Sequence, residues 1–346
     1  MQNTLFLHIG MPKCATTTVQ AYLANHAPRL RHEAIHYDLH PDDQTKNQGN
    51  AAHLAADILN GRLESAEALL EHFLDRDGTV VLSSEMLIAA GRTAETGRVL
   101  ERVRQLGFVP QVVCYLRRQD FWIESDFKQH VKGHSAWVGS IHELVERRAE
   151  RRTLDYCWML ENWANLVGSE NVHVIPLNPS QSRSYAVERF LTLLGAASEP
   201  DDGRRDSNVS PPTGLIEPAR YIKREALRKG HSIEDVAAQV QDFIRTAPSL
   251  IDVPARKFVL PQRTRLDMVE EYAASNEALE RRFLSGKKAF DDAVPGGADE
   301  PPVEEEVSDI LAAYALRPQK ITMRGGLTER LSQPLRAFRR LRQRQA

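Results

Sequence analysis

The chain has 346 residues, 42% of them hydrophobic, and a formal net charge of −2. That length supports a sizeable core, expected as one large domain with appendages. The near-neutral balance excludes a global field for nucleic acid, so any anion site must be built locally.

Leu5–Ile9 is a short apolar run ending at Gly10, the pattern of a buried parallel strand. Helical spacing follows over Thr16–Asn25, with Val19, Tyr22 and Leu23 on one side. Residues 33–50 are polar and His-rich and read as a loop. Ala51–Phe73 reads as two helices broken near Asn60–Gly61. A second strand starts at Thr79, and Glu85 stands just beyond its end. Thr93–Leu106 is an amphipathic helix. A third strand is expected at Gln111–Leu116, after Pro110, because proline cannot donate to a central ladder. Asp120–Val131 and Leu154–Val167 read as helices, "NVHVIPL" as a fourth strand, and Tyr185–Leu194 as a helix closed by Gly195.

Strands alternating with helices over residues 1–195 predict an α/β fold with a central parallel sheet flanked by helices. The expected division is an α/β core at 1–200 and a helical continuation at 201–290. An acidic Pro/Gly-rich linker with a short helix follows at 291–323, then a basic amphipathic tail at 324–346. The tail carries seven Arg and one acid, with Leu327, Leu331, Leu335, Phe338 and Leu341 at helical spacing. Packing on its own domain, and docking to an anionic membrane surface or acidic polymer, are its two readings.

Cys14, Cys114 and Cys157 are the three cysteines. That number suits reduced thiols rather than a disulfide framework, and their spacing suggests no zinc site. Neither a signal peptide nor an apolar run of the ~20 residues needed to span a membrane is expected, so a cytoplasmic location is.

The loop after Gly10 is close to a phosphate-binding loop. A Walker A loop needs Gly, four residues, Gly, Lys and Ser or Thr. Counting from Gly10 puts Ala15 at the second Gly and Thr16 at the Lys, while Lys13 lies inside the loop. Backbone N–H groups at a helix N-terminus still favour an anion. The Thr hydroxyls add donors, and Lys13 adds a mobile point charge. The Lys-Ser/Thr pair that places a γ-phosphate beside Mg²⁺ is missing. Such a loop suits a phosphate that is held rather than a triphosphate that is cleaved.

Pro12, Lys13, Cys14, Ala15, Thr16, Thr17 and Thr18 resemble the 5′-phosphosulfate loop of sulfotransferases that use 3′-phosphoadenosine 5′-phosphosulfate (PAPS). The fuller "HIGMPKCATTTVQAYL" looks like bacterial members that act on carbohydrates. The family's 3′-phosphate motif is an Arg at a later strand end and a Ser eight residues on. "LRRQDFWIES" supplies Arg117 and Ser125 at that separation. Arg118 is the alternative ligand; the spacing favours Arg117. The family's usual Arg-Asn-Pro opening is replaced by Arg117-Arg118-Gln119, and its acidic pair after the next strand by Leu177-Asn178-Pro179. The resemblance covers residues 4–195 well and 204–284 loosely.

It implies a P-loop-like sulfotransferase fold, PAPS as sulfuryl donor, and a hydroxyl acceptor on a glycan or glycolipid. It implies no metal, because Lys and Arg neutralise the phosphates. Lys13 would follow the leaving phosphate oxygen. The base should sit at a neighbouring strand end, where Glu85 fits; a carboxylate in the first turn of a helix is the plainer account of it. His53 is the second candidate, and His36 and His40 could line the acceptor site. A P-loop small-molecule kinase and an inactive nucleotide-binding adaptor are the other two functional readings.

Overall fold

The structure is a computed structural model that describes residues 2–40, 49–197, 211–296 and 304–315. The chain forms two compact units. The first comprises Met1–Gln129, Gly139–Val209 and Leu260–Gly296. The second comprises His130–Val138, Ser210–Val259 and Gly297–Ala346.

The first unit holds a five-stranded sheet, all parallel. Its strands are β1 (Thr4–His8), β2 (Ile35–His36), β3 (Thr79–Ser83), β4 (Val109–Arg117) and β5 (Val172–Leu177). They lie in the order β2-β3-β1-β4-β5, so β1 is central, between β3 and β4. Leu5, Val81, Leu82, Val112 and Val113 are fully buried, as continuous apolar strands covered on both faces must be. Helices Thr16–Asn25 and Tyr185–Leu194 pack together, and Ala94–Gln105, Tyr156–Val167 and Ala273–Phe283 form another packed group. The α/β class with a parallel sheet is therefore as expected.

Among the differences from the expectation, three concern the sheet and the helix at Ile141–Glu150. β4 begins at Val109 and includes Pro110. The Val109 amide bonds to the carbonyl of Asn3, just before β1, at 3.0 Å, so the next nitrogen, that of Pro110, faces the other side. There β5 pairs only from Val112 onward, and no donor is needed. The stretch read as loop at 33–50 contains β2, a two-residue edge strand held by Thr79. Ile141–Glu150 is a helix that the chain reading left unassigned, opened by a capping box between Ser140 and Glu143.

Residues 260–296, expected as the end of the helical continuation (to 290) and the start of the acidic linker, belong to the first unit. The second unit is helical, with Ile216–Arg228, Ile233–Thr246 and Glu304–Ala315. Its buried Lys223 donates to the carbonyls of His130, Val131 and Gly133, the last two at 3.3 and 2.9 Å. Residues 198–210, part of the loop expected after Glu199, and the basic tail at 324–346 lie outside the described residues.

Candidate active site

In a parallel sheet ligands bind at the carboxyl ends of the strands. β1 runs there into the loop of Gly10–Ala15, and the helix Thr16–Asn25 follows. Lys13 and Ala15 have φ of 67° and 60°, the left-handed region that ordinary residues rarely enter. Ala15, at the place of a Walker glycine, thus keeps the glycine's conformation without the glycine. No side chain caps the helix, whose N-cap is Ala15 itself; its first-turn N–H groups have no carbonyl one turn back within the helix. Backbone of this kind forms an anion-binding concavity.

The helix Gln119–Lys132 lies against this loop. The Trp122 indole N–H donates to the Pro12 carbonyl at 2.8 Å. Lys13 Nζ makes a long contact to Gln129 Oε1 at 3.4 Å. Residues three and four apart share a helix face, so Ser125 stands between Trp122 and Gln129 on the face turned to the loop. Its hydroxyl has no hydrogen-bond partner among the described residues, and the residue is half-buried.

Arg117 ends β4, next to the loop. Burial pushes the Cys14 thiol up to about 12, against the pull of the nearby Arg117 guanidinium. That guanidinium has no hydrogen bond or ion pair to another described residue. Arg118 differs. It is buried, with Nε 2.7 Å from Asp120 Oδ1 and Nη1 donating to the carbonyls of Asp291 and Ala293, the first at 2.5 Å and the second at 3.1 Å. Of the two arginines, Arg117 is the one with a guanidinium to offer.

Glu85 lies just beyond β3 and before the four-residue helix Leu87–Ala90, not inside a helical first turn. Its carboxylate accepts from the Thr16 hydroxyl. Glu85, Thr16, Lys13 and Pro12 therefore belong to one cluster, joined to the Ser125 helix. Cys14 is fully buried, and its N–H bonds inward to Met11 O at 3.2 Å. Thr16 is buried, Thr17 exposed and Thr18 partly exposed. His53 is exposed on the helix Ala52–Leu59, with no contact to the cluster. His36 bonds instead to the Asp77 carbonyl at 3.2 Å, and His40 meets the His72 ring edge-on.

The residue that sequence reasoning missed is His8, the last of β1. It is fully buried, with Nδ1 2.8 Å from Ser83 Oγ. Burial brings its pKa down to about 3, so it is neutral. A histidine inside an apolar strand carried no separate signal.

No family model matches this chain, and no solved structure does. A stretch of 189 residues is 25% identical to an uncharacterized protein of Archaeoglobus fulgidus, covering 53% of this chain and 48% of that protein. The chain thus spans about half the length of that curated relative.

Proposed function

We propose that this chain is a PAPS-dependent sulfotransferase with a P-loop-like core, acting on a hydroxyl of a glycan or glycolipid. The observation that carries the reading is the helix face of Trp122, Ser125 and Gln129 against the loop of Pro12 and Lys13. It brings two motifs more than a hundred residues apart against each other, which supports reading them as one site for two phosphate groups.

The residues present fit the donor. The left-handed loop and uncapped helix suit its 5′ end. The uncommitted Arg117 and Ser125 suit a 3′-phosphate, with arginine able to grip it bidentately. When bound, PAPS supplies a sulfuryl group on a phosphate leaving group. Lys13 holds positive charge where negative charge grows on that leaving oxygen. Glu85, kept in place by the Thr16 hydroxyl, takes the proton of the attacking acceptor hydroxyl. As the acceptor oxygen bonds to sulfur, the sulfur–oxygen bond to phosphate breaks. His53, away from the cluster, is not the base in this account.

Radiolabelled PAPS incubated with glycan and lipid extracts should yield a labelled acceptor with the native protein and none with Glu85→Gln. Equal labelling by both would remove Glu85 from the chemistry. Turnover of ATP with Mg²⁺ in place of PAPS would replace the reading by the kinase.

A further inference from the structure

Beneath the Thr16–Glu85 contact lies a second polar layer, closed to solvent. Ser83 is two residues before Glu85 and fully buried. Gln20 is one helical turn after Thr16 and 4% exposed. Gln20 Nε2 donates to Ser83 Oγ at 3.0 Å, repeating one layer down the pairing that Thr16 makes with Glu85. Every polar group of Ser83 is engaged. Its amide donates to Asn50 Oδ1 at 2.8 Å, its carbonyl accepts from Ala51 N at 3.1 Å, and its hydroxyl faces His8 Nδ1 at 2.8 Å. Asn50 in turn donates to Val81 O at 2.9 Å and Asp38 O at 3.0 Å. The following residue is tied too, with Ser84 N bonded to His8 O at 3.1 Å. The chain leading to Glu85 is thus fixed at two successive residues.

The hydroxyl proton has one good destination. Ser83 Oγ already accepts from Gln20. Donating to His8 Nδ1 satisfies the serine and leaves a single orphan, the imidazole Nε2, which has no partner among the described residues. The opposite polarity would leave both Nε2 and the serine proton unmatched. His8 is then the neutral tautomer with its proton on Nε2.

We infer that Ser83, fixed by Gln20, His8 and Asn50, is the positioning residue for the Glu85 carboxylate. The inference rests on Glu85 being the base. Ser83 touches no reacting atom; it sets where Glu85 stands over the loop. A displacement of about 1 Å at a reacting group costs up to about 100-fold in rate.

The test is a double-mutant cycle with a structural arm. Ser83→Ala should lower kcat roughly 10- to 100-fold, with the KM for PAPS changed by less than about threefold. Adding Ser83→Ala to Glu85→Gln should cost nothing further, because residues acting as one unit are non-additive. A merely structural role would give losses that multiply, and that outcome overturns the inference. In crystals of Ser83→Ala the Glu85 carboxylate should leave Thr16; an unmoved carboxylate also overturns it. Gln20→Met takes the same measurements if Ser83→Ala does not fold. If the native protein transfers no sulfuryl group, the sulfotransferase reading fails, and the crystallographic arm still decides whether Ser83 holds Glu85.

Discussion

At the scale of single residues the loop is built on two opposite demands. Gly10 must be glycine, since a Cβ there would overlap Thr16 Cγ2 and come within 3.0 Å of His8 Nε2. Ala15 takes a left-handed conformation that costs roughly 1–2 kcal/mol for a residue with a side chain. Gly10→Ala should therefore push Thr16 away from Glu85 and weaken nucleotide binding, read as a smaller ligand-induced rise in Tm. Ala15→Gly should be tolerated. Lys13→Ala should lower turnover more than nucleotide affinity, because its charge is worth most when the leaving oxygen is negative; steady-state kinetics beside calorimetry would separate the two. His8 gives a pH dependence. Its folded pKa, about 3, is below the ordinary 6.5 because burial excludes the charged form. The unfolded chain therefore binds a proton in that window that the folded chain refuses. The contribution is fully present above about pH 6.5 and lost as pH falls towards 3, on the order of 5 kcal/mol. Urea unfolding from pH 7 to 4 should show this slope in the native protein and a shallower one in His8→Gln.

At the scale of elements the helix Gln119–Lys132 sets the site, and buried charge holds it. Asp120, 0% exposed, meets Arg118 at 2.7 Å and Arg265 at 2.6 Å. Glu124 accepts from Leu260 N at 3.0 Å, and Asp126 pairs with Arg148 at 2.8 Å. Removing one member of a buried pair leaves the others uncompensated. Asp120→Ala should cost about 3–5 kcal/mol in chemical denaturation, well above what an exposed pair such as Arg281–Glu277 contributes. None of this was legible in the sequence, because Asp120 and Arg265 are 145 residues apart. The helices at Thr16–Asn25 and Tyr185–Leu194 were legible to the residue, since apolar periodicity and a C-terminal Gly195 mark them locally. Ile141–Glu150 carried a local signal as well, the Ser140/Glu143 capping box, which periodicity alone passes over. The start of β4 was not legible. Pro110 is admitted only because β5 pairs later, a fact of the sheet rather than of the strand.

At the scale of the whole sheet, the order β2-β3-β1-β4-β5 puts Glu85, the loop and Arg117 on three adjacent strand ends. Chain order alone puts Arg117 more than a hundred residues after Lys13, with Glu85 between them; the topology makes all three neighbours. The two motifs were readable one at a time from residue type and spacing. The spacing already favoured Arg117 over Arg118; what the sequence could not supply was the physical reason, Asp120 and two distant carbonyls engaging the second, or the buried Ser83 layer under Glu85. On the proposed function, this row of strand ends recognises a nucleotide through its 3′-phosphate. The most direct measurement is thermal unfolding of the native chain and of Arg117→Ala with 3′-phosphoadenosine 5′-phosphate, AMP and ATP. A ligand at 100 times its Kd stabilises the folded chain by about 2.7 kcal/mol. The native protein should show a large shift with 3′-phosphoadenosine 5′-phosphate and small ones with the other two, and Arg117→Ala should lose the difference. Equal shifts with all three nucleotides, or an unchanged preference in Arg117→Ala, would contradict it.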